Sequence, residues 1–296
     1  MSAQQIDTKE ILRKVRRIEL HTRGLVNQVF SGEYHSVFKG RGMEFTEVRE
    51  YQFGDDIRTI DWNVSARFNH PYVKVFEEER ELVVMFLVDL SRSQAFGSAE
   101  QFKKEVAAEL CAVLAFSAMK NNDKVGVILF TDRIEKFIPP KKGRQHVLRI
   151  IREVLAFEPE GPGTDIKNVL EYFHQVIKKR SIAFLVSDFL DDGYEKPLRI
   201  VARKHDLIAV HMIDAVEEGL PASGLVKIQD AETGREQWVD FSVSALRARY
   251  AAGIAEEQKR RERMFLTSGV DLIRIRTDKP YIQPLVEFFK MRERRY

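Results

Sequence analysis

Seven consecutive apolar residues, Leu82-Val83-Val84-Met85-Phe86-Leu87-Val88, run without a break into Asp89-Leu90-Ser91-Arg92-Ser93. A strand with one wet face alternates apolar and polar residues. A short unbroken apolar run instead fits a strand covered on both faces of a parallel sheet. Covering both faces takes helices on each side, so the run commits the chain to a layered α/β architecture. With 296 residues, 44% of them hydrophobic, there is ample material for such a core.

The rest of the chain supplies the partners. Residues 7–30 place Ile11, Val15, Ile18, Leu25 and Val29 at helical spacing. Residues 31–50, with Gly32, Gly40 and Gly42, break that pattern. Residues 51–80 are polar and turn-rich and end in an alternating segment at 72–76. After the first buried strand come a helix at 99–120, strands at 125–130 and 134–138 joined by a tight turn, and helices around 147–155 and 166–177. A strand at 182–186, a helix at 195–204 and a strand at 207–213 follow. Residues 223–241 read as an inserted β-hairpin. A charged helix at 242–268, a strand at 272–275 and a helix at 281–292 complete the chain. Strands alternating with helices predict a doubly wound, mostly parallel sheet at 81–296, preceded by an N-terminal helix and strap at 1–80.

Several function classes find no support. Lys+Arg exceed Asp+Glu by only 48 − 45 = 3, and the basic clusters 141–144, 178–180 and 259–261 are short and helix-associated. That balance reads as solvated surface, with no nucleic-acid partner. No apolar run is long enough for a membrane span. The polar N-terminus is unlike a secretory signal. The single cysteine, Cys111, sits among Ala, Val and Leu and reads as a buried, inert thiol. A cytoplasmic location is expected. The seven histidines show no metal-ligand spacing, and no P-loop, Gly-x-Gly-x-x-Gly or Gly-x-Ser-x-Gly string occurs.

The chemistry gathers at strand ends. Asp89, Ser91 and Ser93 follow the first buried strand. Thr164 and Asp165, after Gly161-Pro162-Gly163, lead into the helix at 166, and Ser187-Asp188 close the strand at 182. Open α/β sheets bind ligands at such carboxyl ends. Hydroxyls of Ser91, Ser93 and Thr164, with carboxylates of Asp89 and Asp188 behind waters or hydroxyls, form an oxygen set suited to Mg²⁺, with Mn²⁺ or Ca²⁺ as alternatives. An ion held so would attract a carboxylate from another molecule. Each piece alone also reads as a helix cap; three pieces in order, each at the right end of its element, favour the metal. Asp191 and Asp192 read as surface turn residues, and Asp214 as a further candidate for the rim.

The set Asp89-x-Ser91-x-Ser93, Thr164 and Asp188 resembles the metal-ion-dependent adhesion site (MIDAS) of von Willebrand factor A domains. The stretch from Glu47 to Arg67, including Tyr51-Gln52-Phe53-Gly54-Asp55-Asp56-Ile57-Arg58 and Ile60-Asp61-Trp62-Asn63, together with 73–81, is similar to the signature of the prokaryotic domain-of-unknown-function family 58, a branch of that superfamily. The resemblance covers roughly residues 30–290. It implies a von Willebrand factor A-like fold and partnership with MoxR-type AAA+ ATPases in chaperone-like assembly or activation of other proteins, including metal-cofactor insertion. It implies no firm enzymatic activity. Many members carry N-terminal membrane helices, and this chain is expected to be the short soluble form. The strap 47–67 is expected to pack its apolar residues on the larger domain and close ion pairs beside it, or else to dock a partner.

Two other classes compete. A haloacid dehalogenase-like phosphohydrolase would use Asp89 as nucleophile and Asp188 or Asp192 on the metal, but needs an acid where this chain has Ser91. A structural scaffold would carry the same residues without using them.

Overall fold

A computed structural model of the chain describes residues 8–26, 34, 37–38, 43–78, 81–91, 103–161, 163–214, 224–229, 236–240 and 242–295. They form two compact units, Met1–Val37 with Val83–Tyr296, and Phe38–Leu82. The expected division at residue 80 therefore shifts. The N-terminal helix α1 (Thr8–Leu25) falls to the larger unit, where Lys14 pairs with Glu105 at 2.6 Å and Arg144 with Glu19 at 2.6 Å. Val29, expected on this helix, lies outside the described residues.

The smaller unit holds an antiparallel pair, β1 (Met43–Glu50) and β2 (Tyr72–Glu78), a 3₁₀ turn at Ile57–Thr59 and a short helix α2 (Trp62–Phe68). Only β2 was expected. The sequence of β1, Met-Glu-Phe-Thr-Glu-Val-Arg-Glu, lacks an unbroken period-2 alternation, because the register shifts between Phe45 and Glu47 and moves the next apolar residue to Val48. Arg49 grips Asp55 through two bonds of 2.8 and 2.7 Å, and Asp61 caps α2. The strap's ion pairs are thus present, whereas Phe53, Ile57 and Trp62 are exposed.

The larger unit is built on a six-stranded sheet of order β10-β7-β6-β3-β4-β5. Its strands are β3 (Val83–Asp89), β4 (Lys124–Phe130), β5 (Ile134–Lys141), β6 (Ile182–Ser187), β7 (Asp206–Ile213) and β10 (Asp271–Arg276). All neighbours are parallel except β4 and β5. The antiparallel β5 lies at the edge, where Pro139 and Pro140 remove no ladder bond that the sheet needs. The mostly parallel α/β fold expected from the sequence is the one observed. The expected hairpin is the antiparallel pair β8 (Leu225–Gln229) and β9 (Glu236–Asp240).

Helices cover both faces. On one face α5 (Ile166–Val176), α6 (Glu195–Lys204) and Phe265 of α7 (Ser244–Thr267) bury Val169, Leu170, Phe173, Leu198 and Val201 against Met85, Leu87, Ile128 and Leu185. On the other, α3 (Lys103–Lys120) lies against β3, β4 and β7 beside α4 (Arg144–Ala156). Residues 99–102, expected in α3, lie outside the described residues. From Val106 to Ala118 nearly every side chain of α3 is buried, because this helix is apolar all round and is enclosed by the sheet, α1 and α4. Cys111 sits inside it, where burial pushes its thiol well above the ordinary range. The last helix, α8 (Ile282–Glu293), ties β7 to β10 through Arg292, which bonds Asp206 and Asp271.

Candidate metal centre

Strand order places the site. From β3 the chain winds outward to β4 and β5; from β6 it winds the other way to β7 and β10. The seam between β3 and β6 is therefore the topological switch point, where the crossovers diverge and open a crevice at the carboxyl ends. Asp89 is the last residue of β3, and Asp188 follows the last residue of β6. The parallel register aligns Val88 with Val186, so both acids reach the same crevice.

Asp89 is 2% exposed and Asp188 1%. Asp89 is held by its neighbours. The Ser91 backbone N–H donates to Oδ1 at 2.9 Å, the Ser91 hydroxyl donates to the same carboxylate, and the Ser187 hydroxyl donates to Oδ2 at 2.6 Å. Burial, and next the charge of Asp188, push its carboxyl up to about 7. Asp188 meets the ammonium of Lys103, which is wholly buried, at 3.2 Å. Among the described residues, two buried carboxylates thus share the crevice with one ammonium.

The third loop is anchored to the same rim. The Asp165 N–H donates to the carbonyl of Thr131, which follows β4, at 2.9 Å. Glu135 Oε1 accepts from the Thr131 hydroxyl and from the N–H groups of Glu160 and Gly161. Gly161 passes so close that a Cβ there would overlap the Thr131 hydroxyl and the Asp132 carboxylate. Asp165, and not Thr164, caps α5. Asp191 contributes more than a surface turn. Its Oδ2 accepts the Ile166 N–H at 2.8 Å, so the loop after β6 also holds the start of α5. Thr164, half-buried, stands between these two anchors.

The structure therefore brings Asp89, Ser91 and Asp188 together and sets Thr164 on the neighbouring loop; Ser93 lies outside the described residues. Asp214 belongs elsewhere: fully buried, it accepts from Thr277 at 3.1 Å and serves the junction of β7 with β10.

Sequence reasoning missed four contributors. Lys103 was hidden in a helix whose all-round apolarity is the signal that its first turn is interior. Ser187 was seen only as Asp188's neighbour. Phe189 adopts φ +56, a left-handed conformation unfavourable for a bulky residue. It is held there by its N–H bond to the Ser187 hydroxyl at 3.0 Å and by edge-on packing against Phe265 with ring centroids 5.0 Å apart. This reversal turns the chain directly after Asp188. Arg261 of α7 donates to the Asp188 carbonyl at 3.2 Å and meets Nε2 of His211 at 3.0 Å. Burial, and next Arg261, push His211 down to about 3, so it stays neutral and accepts. Beyond Arg261 a groove of about 1330 Å³ runs between α7 and the loop after β6, lined among others by Asp188, Leu190, Leu246 and Tyr250.

With this geometry, comparison with known proteins settles the family. The model for "Protein of unknown function DUF58" matches residues 47–260, from the start of the strap into α7. The chain belongs to this family. Among relatives, Uncharacterized protein Rv1480 of Mycobacterium tuberculosis (strain ATCC 25618 / H37Rv) is 30% identical over 293 residues, covering 98% of this chain and 92% of the relative. Uncharacterized protein YeaD of Bacillus subtilis (strain 168) is 29% identical over 107 residues, 36% of this chain and 25% of that one. Among solved structures, the conserved hypothetical protein BatB from Bacteroides thetaiotaomicron is similar at 13% identity and a TM-score of 0.44, covering 73% of this chain and 100% of that chain. The SpRpn10 VWA domain is similar at 13% identity and a TM-score of 0.38, covering 70% and 95%.

The donor chemistry of this DUF58 member suits a hard divalent cation. Among the described residues no trio of His, Cys, Asp or Glu gathers at metal-binding spacing. The crevice instead offers two carboxylates beside hydroxyls, the oxygen-only set that Mg²⁺ prefers. Burial first, and then the neighbouring charge of Asp188, hold the Asp89 carboxyl above the usual carboxylate range.

Proposed function

We propose that this protein is a Mg²⁺-dependent protein-interaction module. Asp89, Ser91, Ser93, Thr164 and Asp188 would hold the ion, and a partner's Asp or Glu would complete its shell. The observation that carries this reading is the pair Asp89 and Asp188, both almost wholly buried, side by side at the switch point of the sheet. Two like charges there are unfavourable unless a cation joins them. Both oxygens of Asp89 are already engaged by Ser91 and Ser187, which suits a carboxylate that orients an ion better than one that attacks a substrate. The ion, once bound, would supply an unsaturated coordination site. The groove beside Asp188 gives the remainder of a partner somewhere to lie.

The partner would be a MoxR-type AAA+ ATPase or its client, as the family resemblance implies, and the module would act in the cytoplasm. The test is calorimetric titration of MgCl₂ into wild type and Asp89→Ala in sodium acetate, the acetate standing for the partner's carboxylate. The wild type is expected to bind and the variant to lose binding; equal affinities overturn the reading. Affinity purification with and without EDTA, followed by mass spectrometry, then identifies what the ion recruits.

A further inference from the structure

A lysine with no exposed surface is rare unless paired. Lys103 is 0% exposed, lies in the first turn of the enclosed helix α3, and directs its ammonium at Asp188 Oδ2, 3.2 Å away. Among the described residues, Arg261 is differently engaged: it bonds the Asp188 carbonyl and His211. We propose that Lys103 is a resident counter-cation that competes with the divalent ion for Asp188 and thereby makes ion binding depend on an incoming carboxylate. This rests on the reading of the site given above.

The charge balance supplies the reason. Among the described residues, with both aspartates ionised, Asp89 and Asp188 contribute two negative charges and Lys103 one positive, a sum of −1. A divalent ion added alone takes it to +1, and an excess of either sign in a water-poor crevice is unfavourable. A carboxylate arriving with the ion returns the balance to zero. Without Lys103, the same ion neutralises both aspartates by itself. Lys103 therefore converts a simple metal site into one where ion and acidic side chain bind together. The module engages when both are present and rests as an internal salt bridge when they are not.

The experiment titrates MgCl₂ into wild type and Lys103→Met, first in NaCl and then in sodium acetate of equal ionic strength, with acetate standing for the partner's carboxylate. In NaCl, Lys103→Met is expected to bind Mg²⁺ about tenfold more tightly than wild type, or better, because a like charge beside the ion is gone. Acetate is expected to tighten binding to wild type more than to the variant. Measurable binding with equal affinity in both proteins, or weaker binding by Lys103→Met, overturns the role of Lys103 and leaves the metal centre standing. Binding by neither protein overturns the metal centre, and this inference with it. Removing the ammonium strands Asp188 in the core, so melting temperatures of Lys103→Gln with and without MgCl₂ provide a second measurement. A larger Mg²⁺-induced rise than in wild type, or folding only on addition of MgCl₂, supports the proposal. An equal or smaller rise, or a variant that stays unfolded at saturating MgCl₂, overturns it.

Discussion

The hydroxyl of Ser187, at the end of β6, donates to Oδ2 of Asp89, at the end of β3, across 2.6 Å. The Ser187 hydroxyl oxygen in turn accepts the N–H of Phe189 at 3.0 Å. One small side chain therefore fixes a carboxylate on one strand and the sharp turn that positions Asp188 on the next.

Ser187→Ala should for that reason cost more than a methyl-sized change suggests. It leaves a buried carboxylate oxygen and a buried N–H without their partner. The expected loss is about 2 kcal/mol, in the range for bonds to charged groups, read from the midpoint of urea unfolding. An unchanged midpoint would show that the bond does not hold the seam.

Gly161→Ala should displace the loop that carries Thr164. The added Cβ has no room beside Thr131 and Asp132, and such overpacking costs about 1–3 kcal/mol. The Glu160 and Gly161 N–H groups, now bonded to Glu135, should exchange faster with deuterium while those of β3 stay protected.

Arg292, almost wholly buried, holds Asp206 with two bonds of 2.8 and 2.6 Å and Asp271 with one of 2.6 Å. Arg292→Met should destabilise the larger unit by about 3 kcal/mol, because two partly buried aspartates lose their partner. Arg292→Lys should recover only part of this, since an ammonium cannot grip Asp206 with a planar fork. Denaturant unfolding of the three proteins would rank them. Equal stability of Lys and Arg at this position contradicts the geometry.

His205 sets a pH dependence remote from the candidate site. It is buried, and Nδ1 pairs with the Ser181 hydroxyl at 2.8 Å. Burial, and next the charge of Lys204, push it from 6.5 down to about 4. The unfolded chain takes up this proton near 6.5, whereas the folded chain resists until about 4. The stability that neutral His205 contributes is therefore complete above 6.5 and is lost as the pH falls towards 4. His205→Gln should flatten that stretch of the stability profile; an unaltered slope would assign it to other groups.

The apolar run before Asp89 was sufficient to specify a strand buried on both faces, and periodicity placed α4 and α5 within a few residues, because burial on one face writes a regular spacing into the chain. Strand β1 escaped notice because the register shift between Phe45 and Glu47 breaks its alternation. The acids at the ends of β3 and β6 were legible for a similar reason, since a carboxylate directly after an apolar strand stands out by contrast. What spacing cannot encode is which distant residues meet. Nothing local to Lys103 announces that its ammonium lies against Asp188, 85 positions further on. That contact, the hydrogen bond from Ser187 to Asp89 and the reversal at Phe189 exist only because the order of strands sets β3 beside β6. Strand order follows from which packing buries the most surface over the whole chain, and no short segment carries that information.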